Sequence, residues 1–231
     1  MSHFTSDFNA FFNKLVKNNN KAWFDQNRKW YEESVKVPFT KFVEEMIVRI
    51  HAANPDVLIE PGEAIFRINR DIRFSKDKTP YKTHMAALIS PGGRKAKELP
   101  GFYFQLGVDG IRIYCGVHML DKNLLEKVRI AISVDLSGFA KILESPEFKS
   151  KFGEVQGSKY KRIPPEHAAA AEKQPLIANK DLYVTTNLDQ GVITKSDLAK
   201  ILMEHYFVAK PLTDFLTNAL NKEPRKHTEF H

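Results

Sequence analysis

Gly101-Phe-Tyr-Phe-Gln-Leu-Gly-Val-Asp-Gly-Ile-Arg-Ile-Tyr-Cys-Gly-Val-His118 alternates twice. Phe102, Phe104 and Leu106 share one side of an extended chain, with Tyr103 and Gln105 on the other. Past Asp109-Gly110, Ile111, Ile113, Cys115 and Val117 alternate in the same way with Arg112, Tyr114 and Gly116. Successive strand side chains point to opposite faces, so a period of two marks a sheet with one face in the core. Asp-Gly supplies the positive φ of a tight reverse turn and joins the two halves as a hairpin. Tyr103, Gln105, Arg112 and Tyr114 therefore stand on the face away from the core.

Outward from this hairpin, helical spacing takes over at both ends. Thr5 or Ser6 caps a helix whose apolar positions are Phe8, Phe11, Phe12, Leu15 and Val16, and Asn18-Asn19-Asn20 ends it. A second helix carries Trp23, Phe24, Trp30 and Tyr31, spaced as core aromatics, together with Asn27 and Arg28. Pro38 suits the first turn of a third, with Phe39, Phe42, Val43, Met46, Ile47 and Ile50 as its stripe. Residues 63–74 alternate and predict a strand: Ala64, Phe66, Ile68, Ile72 and Phe74 oppose Glu63, Ile65, Arg67, Asn69, Asp71 and Arg73. A second strand is expected over 83–90 before Pro91-Gly92-Gly93. Helices follow over 121–132, 136–143 and 146–152, then a strand over 182–186 and two closing helices, 196–209 and 211–221. Helices, then strands in hairpin order, then helices predict an α+β fold. Its antiparallel or mixed sheet would carry the helices of the N- and C-terminal thirds on one face. The expectation is a single domain over 1–221 with a frayed tail over 222–231.

The bulk numbers exclude several classes. At 26.5 kDa and 42% hydrophobic, with 17 phenylalanines, the chain can fill one or two cores. No apolar run approaches the ~20 residues of a membrane span. Met1–Phe12 lacks the basic start and apolar stretch of a secretion signal. The single Cys115 excludes an internal disulfide and cysteine-cluster zinc sites, and it fits a reducing compartment. A cytoplasmic protein without membrane attachment is expected. The pI of about 9.3 permits nucleic acid, acidic lipid or small phosphates as partners without choosing among them.

Charge is concentrated in one segment. From Arg67 to Lys82, Arg67, Arg70, Arg73, Lys76, Lys78 and Lys82 oppose Asp71 and Asp77. Six minus two is +4, against a formal +7 for the whole chain. Basic groups at this density repel unless solvent, carboxylates or a bound anion separates them. On the predicted strand Arg67, Asn69, Asp71 and Arg73 form a polar row, facing the same side as Tyr103 and Arg112. Guanidinium forks, amides and phenols suit phosphate or carboxylate recognition. Two readings stand: an anion site, or a structural ladder in which Asp71 and Asp77 neutralise the arginines. In the first, Arg67, Arg70 and Arg73 clamp the anion and Asn69 and Tyr103 orient it. Asp71 positions arginines or acts as a base, Lys76, Lys78 and Lys82 close over the ligand, and Tyr81 and Arg112 complete the set. Asp71 with His84 or His118 is a candidate acid–base pair.

No phosphate loop, dinucleotide fingerprint, nucleophile elbow or HExxH is present, and the eight histidines lack ligand spacing, so no metal site is expected. No motif names a cofactor, a reaction or a protein partner. A nucleic-acid-binding alternative would join the same loop to Arg94, Lys95, Lys97 and Lys159–Arg162 in one basic stripe. A structural or interaction module would leave the Arg–Asp row internally paired.

Asn18-Asn19-Asn20-Lys-Ala-Trp23-Phe24, Asn27-Arg28 and Tyr31-Glu32 form the first part of a longer pattern. Arg67-Ile-Asn-Arg-Asp-Ile-Arg-Phe-Ser-Lys-Asp-Lys-Thr-Pro-Tyr-Lys-Thr83, Gly101-Phe-Tyr103 and Tyr160-Lys-Arg-Ile-Pro164 complete it. Together they resemble a family of bacteria and fungi, the domain of unknown function numbered 2461. The resemblance covers roughly Phe8 to Leu220. It implies a single-domain cytoplasmic α+β protein, and it implies no activity, cofactor or catalytic residue. In one departure, relatives often carry a His-Pro pair after the Lys-Arg-x-Pro loop, where this chain has Ala171-Glu172.

Overall fold

The computed structural model describes residues 2–221, so the tail expected over 222–231 lies outside the described residues. Two compact units make up the chain. The first runs to Ala96 and takes in Gly101–Tyr114 and Thr185–Phe207; the second takes in Lys97–Pro100, Cys115–Val184 and the chain from Val208. The order begins with α1 (Ser6–Lys17), α2 (Lys21–Gln26), α3 (Arg28–Tyr31), a π-helical turn (Glu32–Lys36), α4 (Val37–Ala53) and α5 (Pro61–Ala64). The strands β1 (Ile65–Phe66), β2 (His84–Ile89), β3 (Gly101–Gly107) and β4 (Gly110–Val117) follow. Then come α6 (Lys122–Val134), α7 (Leu136–Glu144), α8 (Pro146–Phe152), α9 (Ala168–Lys173), β5 (Leu182–Leu188) and α10 (Leu198–Asn221).

The expected α+β fold is what forms: helices with a five-stranded antiparallel sheet in the order β1-β2-β3-β4-β5. Its centre is the hairpin of β3 and β4. Gly110 takes φ +87° in the turn, and a Cβ there would lie 2.2 Å from the Leu188 carbonyl oxygen, so only glycine fits. The register Ile89↔Phe102, Ala87↔Phe104 and Met85↔Leu106 puts all six side chains on the core face. In the first unit Phe39 and Phe42 of α4 pack their rings 6.0 and 5.7 Å from Phe104. Tyr206 of α10 meets Phe102 edge-on at 5.6 Å. Phe4, Phe8, Phe11 and Phe12 extend this aromatic core, each fully buried phenylalanine contributing roughly 1.5–3 kcal/mol. The expected core role of Phe24 and Tyr31 holds, and both are buried. In the second unit Leu125, Val128 and Ile132 of α6 are buried, and Phe139 packs 5.0 Å from Phe215.

Two expectations are corrected. The strand over 63–74 is reduced to β1, because Pro61 at the first turn and a capping box between Glu60 and Glu63 draw 61–64 into α5. Beyond β1 only Asn69 bridges Tyr81, with Arg70 N–H to Pro80 and Lys82 N–H to Ile68. Residues 71–79 are a loop on that short ribbon. The helix expected at Pro38 forms as α4 with the proline in its first turn, and it follows α3 without a break through the π-helical turn. Proline lacks the N–H that would close the preceding turn, and a π-turn just upstream is a known accommodation. Finally, Pro211 sits inside one continuous α10 rather than between two helices. Buried Leu202, Tyr206 and Ala209 before it and Leu212 and Leu216 after it outweigh the roughly 3 kcal/mol propensity cost.

Candidate anion-binding face

The ribbon and the sheet separate the basic residues of the sequence into two sets. The first set folds onto itself. Arg70 donates through Nη1 to the Asp77 carboxylate, the Thr79 hydroxyl and, at 3.2 Å, the Thr79 carbonyl. Asp77 also accepts the Thr79 N–H at 2.9 Å, an Asx turn that closes the loop. That amide, Arg70 and the Thr79 hydroxyl hold the Asp77 carboxyl down at about 2. Asp71 accepts from Arg73 Nε at 2.9 Å and Nη2 at 2.7 Å, a two-pronged pair between exposed neighbours. The contact lowers the Asp71 carboxyl and raises the Arg73 guanidinium. Lys78 Nζ donates to the Ile72 carbonyl at 3.0 Å, while Lys76 is exposed. Arg70, Asp71, Arg73 and Lys78 thus serve the loop's own shape.

The second set gathers on the outward face of the sheet. β2 turns Met85, Ala87 and Ile89 inward, which sends His84, Ala86 and Leu88 outward. Phe66, Ala86 and Gln105 lie in line across three strands, and His84 lies opposite Gly107. A Cβ at Gly107 would meet the His84 Cβ at 2.5 Å, so glycine there makes room for the imidazole. Lys82 Nζ donates to the Arg67 carbonyl at 3.0 Å and lies 5.5 Å over the Phe66 ring. The Phe66 ring is 6.0 Å from Tyr103, which meets Tyr114 edge-on at 5.6 Å. Tyr103 donates to Gln105 Oε1 at 2.8 Å, and Arg112 Nε donates to Asn187 Oδ1 at 3.1 Å.

Cations dominate the electrostatics of this face. Among the described residues, no carboxylate lies within ion-pair distance of Lys82 or Arg112, whereas the Arg67 charge acts on Asp71. Burial and then the Arg67 charge push the Lys82 ammonium down. Burial, Lys82 and Arg112 push the His84 imidazole down to about 4, against a weaker opposing pull from Asp109. Burial and Tyr114 push the Tyr103 phenol up to about 12. His84 is therefore neutral at pH 7 and offers one donor and one acceptor.

Two sequence candidates lie elsewhere. The Tyr81 ring is buried and stacked on Phe24, centroids 4.0 Å apart, and Asn19 bonds its backbone N–H and C=O, so it belongs to the core. Asn69 is exposed on the ribbon arm. The residue that sequence reasoning underused is His84, whose neighbours are fixed by strand register. In the second unit Glu126, Glu166 and His167 bring metal-ligand-type atoms within 4.8 Å of one another, a grouping that histidine spacing did not reveal. His167 Nε2 lies 2.6 Å from Glu126 Oε1 and the Arg129 guanidinium 3.9 Å from Oε2, which accounts for the Glu126 charge by pairing within the protein. Cys115 is buried, and burial pushes its thiol up, as for an inert core residue. Among the described residues, no helix is long and apolar enough to cross a membrane.

Residues 7–215 match the family model described as Conserved hypothetical protein (DUF2461). The chain belongs to that family. The match includes both halves of the divided charge cluster and every residue of the outward sheet face. No curated protein and no solved structure is significantly similar to the chain.

Proposed function

We propose that the outward sheet face binds a small ligand bearing a phosphate or carboxylate. One observation carries this: Lys82 and Arg112 bring two cations to one face with no carboxylate within ion-pair distance among the described residues, and with burial they depress His84. A bound anion relieves that repulsion, and the half-buried setting strengthens its attraction over that in water. Arg112 supplies a guanidinium fork and Lys82 a compact charge. Neutral His84, Tyr103 and Gln105 orient the ligand by hydrogen bonds.

Thermal unfolding against phosphate, nucleotides, sugar phosphates, dicarboxylates and short oligonucleotides tests the proposal. At ~100 times its dissociation constant a ligand adds about 2.7 kcal/mol of stability, a midpoint rise of roughly 5–10 °C for a chain of this size. The rise is expected with a small anion, and it should vanish in Arg112→Gln and Lys82→Gln. A rise with oligonucleotides alone, fading steeply with salt, would replace the small ligand by nucleic acid.

A further inference from the structure

The second unit holds a separate constellation at the end of β4. His118 follows the last residue of that strand, and Asp181 precedes the first residue of β5. His118 Nδ1 lies 3.0 Å from Asp181 Oδ1; the imidazole is 67% exposed and the carboxylate 10%. The Tyr183 ring stands edge-on to the imidazole at 6.1 Å. Asp181 is held from two more directions, by the Met119 N–H at 2.8 Å and the Ser158 hydroxyl at 2.9 Å. Burial works to raise its carboxyl, but these donors and His118 outweigh it and leave the group below its ordinary value.

The backbone is shaped to present this carboxylate. The bridges Gln156–Tyr183 and Lys159–Asn179 enclose three steps on one strand and four on the other. One extra residue therefore lies among Lys180, Asp181 and Leu182, a β-bulge of the kind that redirects a side chain. Opposite it Gly157 approaches so closely that a Cβ would lie 1.9 Å from the Asp181 carbonyl oxygen. On the other side Met119 takes φ +59°, the sole positive value at a non-glycine among the described residues. Strain of this kind persists where the surroundings over-determine it, and it recurs at functional sites.

An ionised carboxylate has only lone pairs to offer, so Asp181, 3.0 Å from Nδ1, favours the neutral tautomer that carries its proton there. That tautomer leaves the Nε2 lone pair free to accept a proton. The ribbon that supplies Ser158 continues as Lys159, Tyr160, Lys161 and Arg162, and Lys180 precedes Asp181. The Tyr160 ring is flanked by Lys180 at 4.8 Å and Arg129 at 5.3 Å. No carboxylate lies within ion-pair distance of Lys159, Lys161, Arg162 or Lys180 among the described residues.

We propose that His118 is a general base for attack of water on an anionic ester, with Asp181 as its positioning residue. Nε2 takes a proton from water as the oxygen forms its bond to the ester's phosphorus or carbonyl centre. The bond to the leaving oxygen breaks, that oxygen keeps the electron pair, and Nε2 returns the proton to it. Asp181 stays ionised throughout and faces the imidazolium that forms between the two transfers.

Two readouts test this on the full chain. Two-bond nitrogen–proton NMR, at a pH where the ring is neutral, should show His118 with its proton on Nδ1, and Asp181→Ala should release that preference. Hydrolysis of p-nitrophenyl phosphate and bis(p-nitrophenyl) phosphate is followed beside that of the uncharged p-nitrophenyl acetate. At least one anionic ester should turn over, and His118→Gln should slow it about 100-fold or more with an unchanged unfolding midpoint. The exposed His118 makes that variant safe for folding even if Asp181→Ala fails to fold. The proposal is overturned by a wild-type proton on Nε2, by no anionic-ester turnover above the His118→Gln background, or by turnover of the acetate alone.

Discussion

Arg70 and Arg112 carry the same charge, yet one sits among acceptors from its own loop and the other on a sheet face with no carboxylate partner among the described residues. The loop over 71–79 is built around Asp71 and Asp77, whose charges are matched by Arg73 and Arg70. Removing Arg70 there opens the loop. On the sheet face, burial together with Lys82 and Arg112 holds His84 neutral. Removing a cation there relieves strain between charges and costs only the capacity to attract an anion. Local charge density is therefore a poor guide to a binding site. Unmatched charge, held on a rigid and half-buried surface, is the better one.

Four outcomes would break or sharpen this contrast. The largest concerns acid. His84 falls from an ordinary 6.5 to about 4 on folding. Above pH 6.5 both states hold it neutral; between 6.5 and about 4 the unfolded chain takes up a proton that the folded chain refuses. Stability therefore falls with pH through that window by about 3 kcal/mol and levels below it, and urea unfolding of His84→Gln should lack this limb. The Asp77 contribution is lost in a lower window, from 3.8 to about 2, so the two regions separate by pH alone. Next in size is the anion-dependent stabilisation of about 2.7 kcal/mol, expected to disappear in Arg112→Gln and to survive in Arg73→Gln. Third, Arg70→Ala without ligand should lower the unfolding midpoint by roughly 2–4 °C, whereas Arg112→Gln should leave it level or raise it. Smallest is Asp71→Asn, for which no shift in the midpoint is expected, since exposed pairs contribute little. A large loss there would make the loop pair structural in its own right.

The hairpin was legible in the sequence because alternation and Asp109-Gly110 agree on one register. The strand over 63–74 was misread because a ribbon arm and an Asx-rich loop also alternate apolar and polar residues. Only the capping box at Glu60 and the Asx turn at Asp77 distinguish them. Pro38 marked the first turn of α4 as local propensity implies, whereas Pro211 read as a boundary that packing along α10 overrode. Arg67, Lys82, Tyr103 and Arg112 were picked out by residue type. Their separation from Arg70, Asp71 and Arg73 depends on where the ribbon ends, which is a tertiary fact. Tyr81 looked like a ligand phenol because nothing local shows Phe24 stacked on it. His118 and Asp181 come together through a bulge and a strand end that no spacing encodes.

The central claim is that the sheet face, and not the loop, receives an anion. The most direct measurement follows the His84 imidazole by NMR through an acid titration, with and without phosphate, a nucleotide, a sugar phosphate or a dicarboxylate. An anion seated beside Lys82 and Arg112 offsets two of the three causes that depress His84, so its titration should move upward from about 4 with at least one of these ligands. The movement should persist in Arg73→Gln. A titration that no ligand displaces, or one that moves only while Arg70 and Arg73 are intact, would contradict the account.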